Sequence, residues 1–326
     1  MVHGNDLIVA TQGRAFWVMD DLNPLYELSQ ASSKDFHVYE PESAIRDNAF
    51  RSGSNEIGKN PYPGFSIMYY IKDNVDSIPM KVEFMNASGD VVRTFASDAK
   101  KGQEKLTKKT GMNRLNWNLS RVNFDGVQGV FVGLGAGGHR VAPGDYTMKM
   151  TYGDQEVTKR LNVSPDPKWE ATTAQYQEQQ RQLEIVREMI ESLQEKANDI
   201  RSIRGQIQDM QSRISKDDYA PIHEKADEVI KMINASEEQM VQPDQKTFQD
   251  VINFPNKLEV QLLHIYGTID GVEPPVTDGQ KKRVRDMSAK YTQVMGQAAS
   301  IEKGLDDLMD LIRTEKVPFI AAKKKK

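Results

Sequence analysis

Residues 164–200 read SPDPKWEATTAQYQEQQRQLEIVREMIESLQEKANDI, and this stretch divides the chain into two kinds of structure. Pro165 and Pro167 stop a strand and predict a stiff joint. Thr172 and Gln175 then have the spacing of a capping box, which opens a helix. Apolar residues follow at intervals of three and four, so a long helix with one buried seam is predicted after the joint.

The whole of 168–316 is predicted to be helical. The first seam consists of Leu183, Val186, Ile190, Leu193, Ala197, Ile200, Ile203, Ile207, Met210 and Ile214. A shorter helix carries Ile222, Ala226, Val229 and Ile233, and a third, over 248–266, is interrupted by Pro255. The last helix follows a capping box at Thr277 and Gln280 and carries Val284, Met287, Tyr291, Val294, Ala298, Ile301, Leu305, Leu308 and Ile312. We expect an elongated antiparallel bundle about 60 Å long, with the first and last helices paired antiparallel.

The region before the joint carries short strand signals separated by turns. Strands are predicted at 65–72, 80–85, 91–95, 112–119, 129–134, 145–152 and 155–163. The expected inward-facing residues are Val82, Phe84, Leu115, Trp117, Leu119, Tyr146, Met148, Met150 and Tyr152. Seven such strands predict an antiparallel β-sandwich over 63–164.

The two ends of the chain are predicted separately. Two β-rich runs around Gly13 predict a hairpin within 1–30. A lone hairpin is marginal in water, so we expect it to pack against the sandwich or to be poorly ordered. Residues 31–62 are predicted to be a linker or irregular edge, and 317–326 a solvated basic tail. The predicted fold class is therefore α+β and multidomain.

Composition excludes several functions. The 326 residues carry 43 basic and 47 acidic side chains, so no global basic field attracts nucleic acid or anionic lipid. The absence of cysteine excludes disulfides, thiol nucleophiles and thiolate metal sites. No apolar run approaches the ~18 residues of a membrane-spanning helix. Residues 1–21 read as strands and not as a signal peptide.

No catalytic, cofactor-binding or metal-binding residue is assigned from motifs. Residues 133–138 match G-x-G-x-x-G, but a turn into a strand follows them where a dinucleotide site needs a helix, so an inter-strand loop is predicted. Asp20 and Asp21 are adjacent on an extended chain and point to opposite sides, which favours a turn over a glycosidase pair. The five histidines, whose spacing predicts no metal site, are His3, His37, His139, His223 and His264.

Residues 3–21, HGNDLIVATQGRAFWVMDD, resemble the last blade of sortilin-like propellers, found in bacterial proteins often labelled BNR-repeat glycosyl hydrolases. The family's turn reads Thr-His-Gly-Arg, whereas this chain has Gln12 at the histidine position. Residues 111–119 (GMNRLNWNL) and 142–146 (APGDY) are similar to the family's sandwich segment, and 262–267 (LLHIYG) to its helical tail.

A second resemblance concerns the sandwich itself. Residues 88–93, SGDVVR, are similar to the Ig-like segment of flagellar hook-capping proteins. Together the resemblances imply the C-terminal end of a larger exported protein, periplasmic or extracellular, whose propeller is a partner of this region. The family's catalytic groups lie on the repeated blades, and the Asp-box Ser-x-Asp-x-Gly-x-Thr-Trp does not occur in this chain, so no catalytic residue is carried over.

The expected function is that of a non-catalytic accessory and interaction region. The sandwich would buttress the propeller or present a binding surface, and the bundle would act as a spacer or mediate association. One alternative is the accessory part of a sialidase-like glycoside hydrolase acting on glycans. Another is carbohydrate binding by the sandwich through exposed aromatics such as Tyr62, Tyr69 or Tyr70, although Tyr69 and Tyr70 cannot both lie in the core.

Overall fold

The computed structural model describes residues 1–47, 60–100, 104–135 and 137–317. The chain forms two compact units. The β unit comprises Met1–Val122 and Gly137–Gln177, and the helical unit comprises the described residues of Asn123–Ala136 and Glu178–Lys326. Sheets and helices are both extensive, so the predicted α+β class is confirmed. Residues 48–59 of the predicted linker and 318–326 of the predicted tail lie outside the described residues.

The β unit begins with a three-stranded antiparallel sheet. Its strands are β1 (Val2–His3), β2 (Asp6–Ala10) and β3 (Phe16–Met19), with β2 in the centre. The predicted hairpin is therefore confirmed. Two short helices, α1 (Asn23–Tyr26) and α2 (Leu28–Ser32), follow this sheet.

Two further sheets share one apolar core. Their strands are β4 (Phe36–Val38), β5 (Ala44–Arg46), β6 (Phe65–Ile71), β7 (Met80–Met85), β8 (Val91–Ala96), β9 (Gly111–Trp117), β10 (Gly144–Tyr152) and β11 (Gln155–Pro165). One sheet has the order β5-β11-β10-β7-β8 and the other β4-β6-β9. All residues predicted to face inward from these sheets are buried, because alternation along each strand places them on the core face.

Of the two predictions for 31–62, a linker or an irregular edge, the residues that the structure describes form an edge, because β4 and β5 are edge strands of the two sheets. β4 pairs antiparallel with β6, and β5 pairs parallel with β11. Each strand has three residues, which is too short for alternation to be recognised in the sequence. Their pairing partners lie far along the chain, so only the folded structure supplies the signal.

The helical unit contains α3 (Thr173–Arg213), α4 (Ala220–Met240), α5 (Leu258–Asp270) and α6 (Asp278–Thr314). A 3-10 helix, Phe248–Ile252, precedes α5, and Pro255 lies between them as the sequence predicts. Both predicted capping boxes form, at Thr172 with Gln175 and at Thr277 with Gln280. Every residue of the predicted seams lies in or against one core.

The helix directions correct the predicted pairing of the first and last helices. Arg201 and Gln211 of α3 bond to Glu237 and Asp227 of α4 respectively, so α3 and α4 are antiparallel. Within α6, Asp307 pairs with Lys225 of α4, whereas Gly304 lies against Val229 and Met232, so these helices are also antiparallel. Consequently α3 and α6 run parallel to each other, and the prediction was wrong. Between these two parallel helices the chain passes through α4 and then α5.

The strand predicted at 129–134 does not form. Residues 123–135 belong to the helical unit, where Phe124 and Val127 are buried in its core. Gly126 and Gly129 both have positive φ, a conformation that breaks an extended strand. The apolar residues that suggested a strand instead contact helices, because the bundle offers them an apolar surface.

Candidate functional site

The most unusual surface of the β unit is strand β3. Its four residues are all apolar and all exposed: Phe16 by 76 %, Trp17 by 60 %, Val18 by 56 % and Met19 by 51 %. Side chains alternate between the two faces of a strand, so both faces of the sheet are exposed here. Buried apolar surface normally stabilises a sheet, and β3 leaves most of its apolar surface in water.

The base of this sheet is tied to the rest of the β unit. The side-chain amide of Asn5 donates to Asp21 Oδ1 at 3.0 Å and to Glu42 Oε1 at 2.7 Å. The Leu22 N–H donates to the Asn5 carbonyl, and the Leu22 side chain is buried. Residues 1–30 therefore pack against the remainder of the β unit at their base, while β3 stays exposed.

A cleft of about 710 Å³ opens beside this base. Its walls come from the end of the hairpin, from 42–47, from 60–68 and from 166–168, with Arg114 of β9 between them. Among the described residues of these walls, carboxylates outnumber cations; the acidic residues are Asp20, Asp21, Glu42, Asp47 and Asp166, and the basic ones Arg114 and Lys168. This volume lies within the ~300–1,000 Å³ of small-molecule sites.

Asp21 has a structural role within the cleft wall. Its φ of 61° is left-handed, and its N–H donates to Asp6 Oδ1 at 3.1 Å. The Asp21 carboxylate accepts hydrogen bonds from Asn5 and from the Asn23 N–H. Burial raises the pKa of Asp21 above its ordinary value, against the lowering effect of the Asn23 N–H. These bonds make Asp20-Asp21 a turn after a strand, in agreement with the favoured interpretation.

The three tyrosines considered for carbohydrate binding occupy different environments. Tyr69 is fully buried and donates its hydroxyl to the Thr107 carbonyl, so it is removed from any binding surface. Burial also raises the Tyr69 pKa. Its neighbour Tyr70 is half-buried on the other face of β6, as alternation requires. Tyr62, 43 % exposed, lines the acidic cleft.

The histidines do not converge. His37 lies 2.8 Å from Glu27 through Nε2, whereas His139 and His223 are buried and His3 and His264 are exposed. The described residues contain no cluster of three or more His, Cys, Asp and Glu side chains suited to a metal ion.

The glycine-rich segment is a loop in its described residues, but it is not the predicted inter-strand loop, because the strand expected at 129–134 does not precede it. No helix follows it, so a dinucleotide phosphate would meet no helix N-terminus there. A Cβ at Gly138 would stand 2.3 Å from the Arg121 carbonyl oxygen. Close backbone approach therefore explains this glycine without a ligand. Ala136 lies outside the described residues.

Comparison with known proteins gives little. No protein-family profile and no curated protein matches this chain. A solved structure described as "pT26-6p" aligns at 10 % identity with a TM-score of 0.17, over 86 % of this chain and 50 % of that one. The chain thus spans about half the length of the structure it matches, and a TM-score this low supports no statement about fold or function. Among the described residues, no helix combines the length and apolarity needed to cross a bilayer.

Sequence reasoning identified the residues of β3 and Tyr62 but not their surroundings. The strand signal of Phe16–Met19 was clear, but how far its side chains are exposed depends on which other elements pack against them. Other residues that line the same cleft, Glu42, Arg114 and Asp166, come from separate parts of the chain. No local pattern links these positions, so only the folded β unit brings them together.

Proposed function

We propose that this chain is a non-catalytic accessory and interaction region of an exported propeller-type protein. The observation that carries the proposal is the sheet β1–β3, whose third strand exposes four consecutive apolar residues on both faces. Soluble proteins rarely leave such surface uncovered, and large exposed apolar patches mark interaction sites. In the proposed assembly, these faces pack against neighbouring sheets of a propeller.

The rest of the chain then has two supporting roles. The paired sheets of the β unit, as an Ig-like sandwich, buttress the propeller or present a binding surface. The antiparallel helices serve as a spacer or association module, which is supported by the ~60 Å expected for α3 at 41 residues. The location proposed for this assembly is periplasmic or extracellular, on the resemblance of residues 3–21 alone.

The first test is to read the genomic DNA upstream of the Met1 codon. An open frame encoding several propeller blades supports the proposal. A stop codon and a ribosome-binding site immediately before Met1 contradict a propeller in the same polypeptide. If the frame is open, hydrogen exchange of the longer protein should show β3 amides that are more protected than in this chain alone.

The same family resemblance supports a related alternative, in which the parent is a sialidase-like glycoside hydrolase and this chain its accessory part. This chain alone should then leave aryl sialosides and aryl glycosides intact, while the longer protein hydrolyses one of them. Hydrolysis by this chain at a rate above the buffer blank would contradict an accessory role.

A second candidate function, carbohydrate binding, is favoured by the cleft that Tyr62 lines. Aromatic faces pack on sugar rings, and carboxylates and Arg114 offer partners for hydroxyl groups. A glycan array should give hits that Tyr62→Ala removes and that Tyr70→Phe, outside the cleft, retains. An array without hits, or hits insensitive to Tyr62→Ala, would eliminate this function for the cleft.

A further inference from the structure

β3 is an edge strand, and its backbone groups alternate between β2 and solvent. The Thr11 N–H donates to the Ala15 carbonyl at 3.0 Å, so Thr11 and Ala15 form a hydrogen-bonded pair. In an antiparallel ladder every second pair counted from this one is hydrogen-bonded as well. Because Val9 pairs with Trp17 and Leu7 with Met19, the N–H and C=O groups of Trp17 and Met19 face β2. Those of Phe16 and Val18 therefore point to the free edge.

The hydrogen bonds between β1 and β2 lead to the same assignment of which β3 backbone groups point outward. The Ile8 N–H donates to the Met1 carbonyl at 2.8 Å, on the β1 side of the sheet. Ile8 is paired with Val18, so this pair exchanges no hydrogen bonds between β2 and β3. Two independent contacts thus agree that Val18 has outward-pointing donor and acceptor groups.

We propose that this edge pairs with β3 of a second copy of the chain, antiparallel and about a two-fold axis at Trp17. In that register Phe16 of one copy stands opposite Val18 of the other. In each copy, Phe16 and Val18 both present one N–H and one C=O outward. The two copies therefore form four N–H···O=C bonds, which use all of these groups. The contact is isologous, as in most homodimers, and produces one six-stranded sheet.

Side chains favour the same register. The two Trp17 residues become directly opposed at a non-hydrogen-bonded position, where Cα atoms are ~4.5 Å apart and aromatic pairs stabilise a sheet. Arg14, in the turn before β3, and Asp20, directly after β3, flank opposite ends of the strand, so antiparallel pairing brings each Arg14 to the same end of the shared edge as Asp20 of the other copy. Both side chains are exposed, and neither forms a hydrogen bond or ion pair within the ranges the structure describes.

The edge also lacks the features that keep edge strands apart. Natural sheets protect their edges with lysine, proline, bulges or inward charges. β3 reads FWVM, with no charge and no proline, and it pairs with β2 without a bulge. This inference goes beyond the proposed function, because it concerns the edge of the sheet and not its faces.

Sedimentation velocity of the whole chain, from micromolar to submillimolar concentration, tests the pairing. We expect a monomer–dimer equilibrium. Val18→Pro removes an outward N–H while leaving the β2–β3 bonds intact, since proline is tolerated where an edge N–H faces solvent. It should weaken the dimer about a hundredfold, because two bonds are lost per dimer. Val18→Thr, which keeps the N–H, is the matched control and should still dimerise.

A charge exchange tests the antiparallel direction of the contact independently of the backbone hydrogen bonds. Arg14→Asp and Asp20→Arg should each weaken the dimer about tenfold, since each places like charges together twice. The double variant should recover the original dissociation constant. This cycle decides the matter even if Val18→Pro disturbs the hairpin, because both positions lie outside β3.

Three results would overturn the proposal. One is a chain that stays monomeric throughout the concentration range. Another is a dimer indifferent to both Val18→Pro and the charge exchange, which would place association elsewhere, as on the helices. The third is a longer, propeller-containing protein that is monomeric with protected Phe16 and Val18 amides, because a strand of the same polypeptide would then hold the edge.

Discussion

Gln194 of α3 donates its side-chain amide to the carboxyl of Glu259 on α5, with 2.8 Å between Nε2 and Oε1. Both side chains are almost completely buried. The side-chain oxygen Oε1 of Gln194 accepts a hydrogen bond from the Gly126 N–H at 3.1 Å. This one side chain therefore connects two helices and the segment 123–135. No group in the part of the chain that the structure describes hydrogen-bonds to Glu259 Oε2, so a charge there would be uncompensated.

The free energy of unfolding should depend on pH through Glu259. Burial raises the pKa of this carboxyl, and the Gln194 hydrogen bond only partly opposes that effect. Because the folded pKa exceeds the unfolded one, this stabilising contribution is complete below the unfolded pKa. It is lost as the pH rises through the folded value. Chemical denaturation from acidic to mildly alkaline pH measures this loss.

Glu259→Gln removes the titration and keeps the oxygen that accepts from Gln194. We expect it to stabilise the protein by about 1–3 kcal/mol at alkaline pH and by little under acidic conditions. The control is Glu238→Gln, at an exposed glutamate of α4, which should change neither value. An unchanged pH profile in Glu259→Gln would contradict the prediction.

Glu237 of α4 is a second buried carboxylate, and it is paired with two arginines of α3. Arg201 donates to its Oε1 at 2.5 Å and Arg204 donates to its Oε2. Glu237→Gln should destabilise the protein by about 1–3 kcal/mol. Partial exposure of both arginines reduces the cost below that of a fully buried pair. Urea denaturation gives the change, and a double-mutant cycle with Arg204→Met should show coupling between the two positions. Additive effects would mean that the pair contributes no net stability.

Phe124 anchors the segment 123–135 to the helices. Its ring is 5.1 Å from that of Tyr266, and the Arg187 guanidinium lies 5.0 Å above it. Phe124→Ala should cost about 3 kcal/mol of unfolding free energy and increase hydrogen exchange at the Gly126 amide. Phe248→Ala, at a side chain that is 71 % exposed, should cost far less. Equal losses in the two variants would contradict the anchoring role of Phe124.

Lys108 stabilises a turn of the β unit. Its ammonium donates to three carbonyls, those of Val75, Asp76 and Ile78, at 2.7, 3.0 and 2.6 Å. Lys108→Met should destabilise the chain by about 1 kcal/mol, because three acceptors lose a charged donor that is only partly shielded from water. The thermal midpoint should fall accordingly, whereas Lys109→Met at the exposed neighbouring side chain should leave it unchanged. Equal midpoints for the two variants would refute the turn's dependence on Lys108.

Local patterns were sufficient for much of the secondary structure. The seam spacing predicted which faces of α3, α4 and α6 are buried, and the Thr-Gln pairs predicted where α3 and α6 begin. Alternation likewise predicted the core residues of β7, β9 and β10. These predictions succeeded because burial periodicity and capping depend on residues within one or two turns of each other.

The candidate site was predicted much less completely. Both Tyr62 and the run Phe16–Met19 were recognisable, but the cleft beside Tyr62 draws Glu42, Arg114 and Asp166 from distant parts of the chain. The buried contacts of Glu259 and Glu237 were not predicted at all, because acidic residues on a helix normally face water. Only the positions of their partners on α3 reveal that these carboxyls are buried.

The sequence by itself determined the α+β class, most strands, and the helices with their buried seams, since these follow from the spacing of neighbouring residues. Only the tertiary structure decided that α3 and α6 run parallel, that 123–135 joins the helices, and that β3 has an uncovered edge. The spacing of apolar residues predicts which face of a helix is buried, but it does not predict the direction of the helix that packs against that face. Whether a strand is covered depends likewise on residues far away in the chain, and their contacts form only in the folded protein.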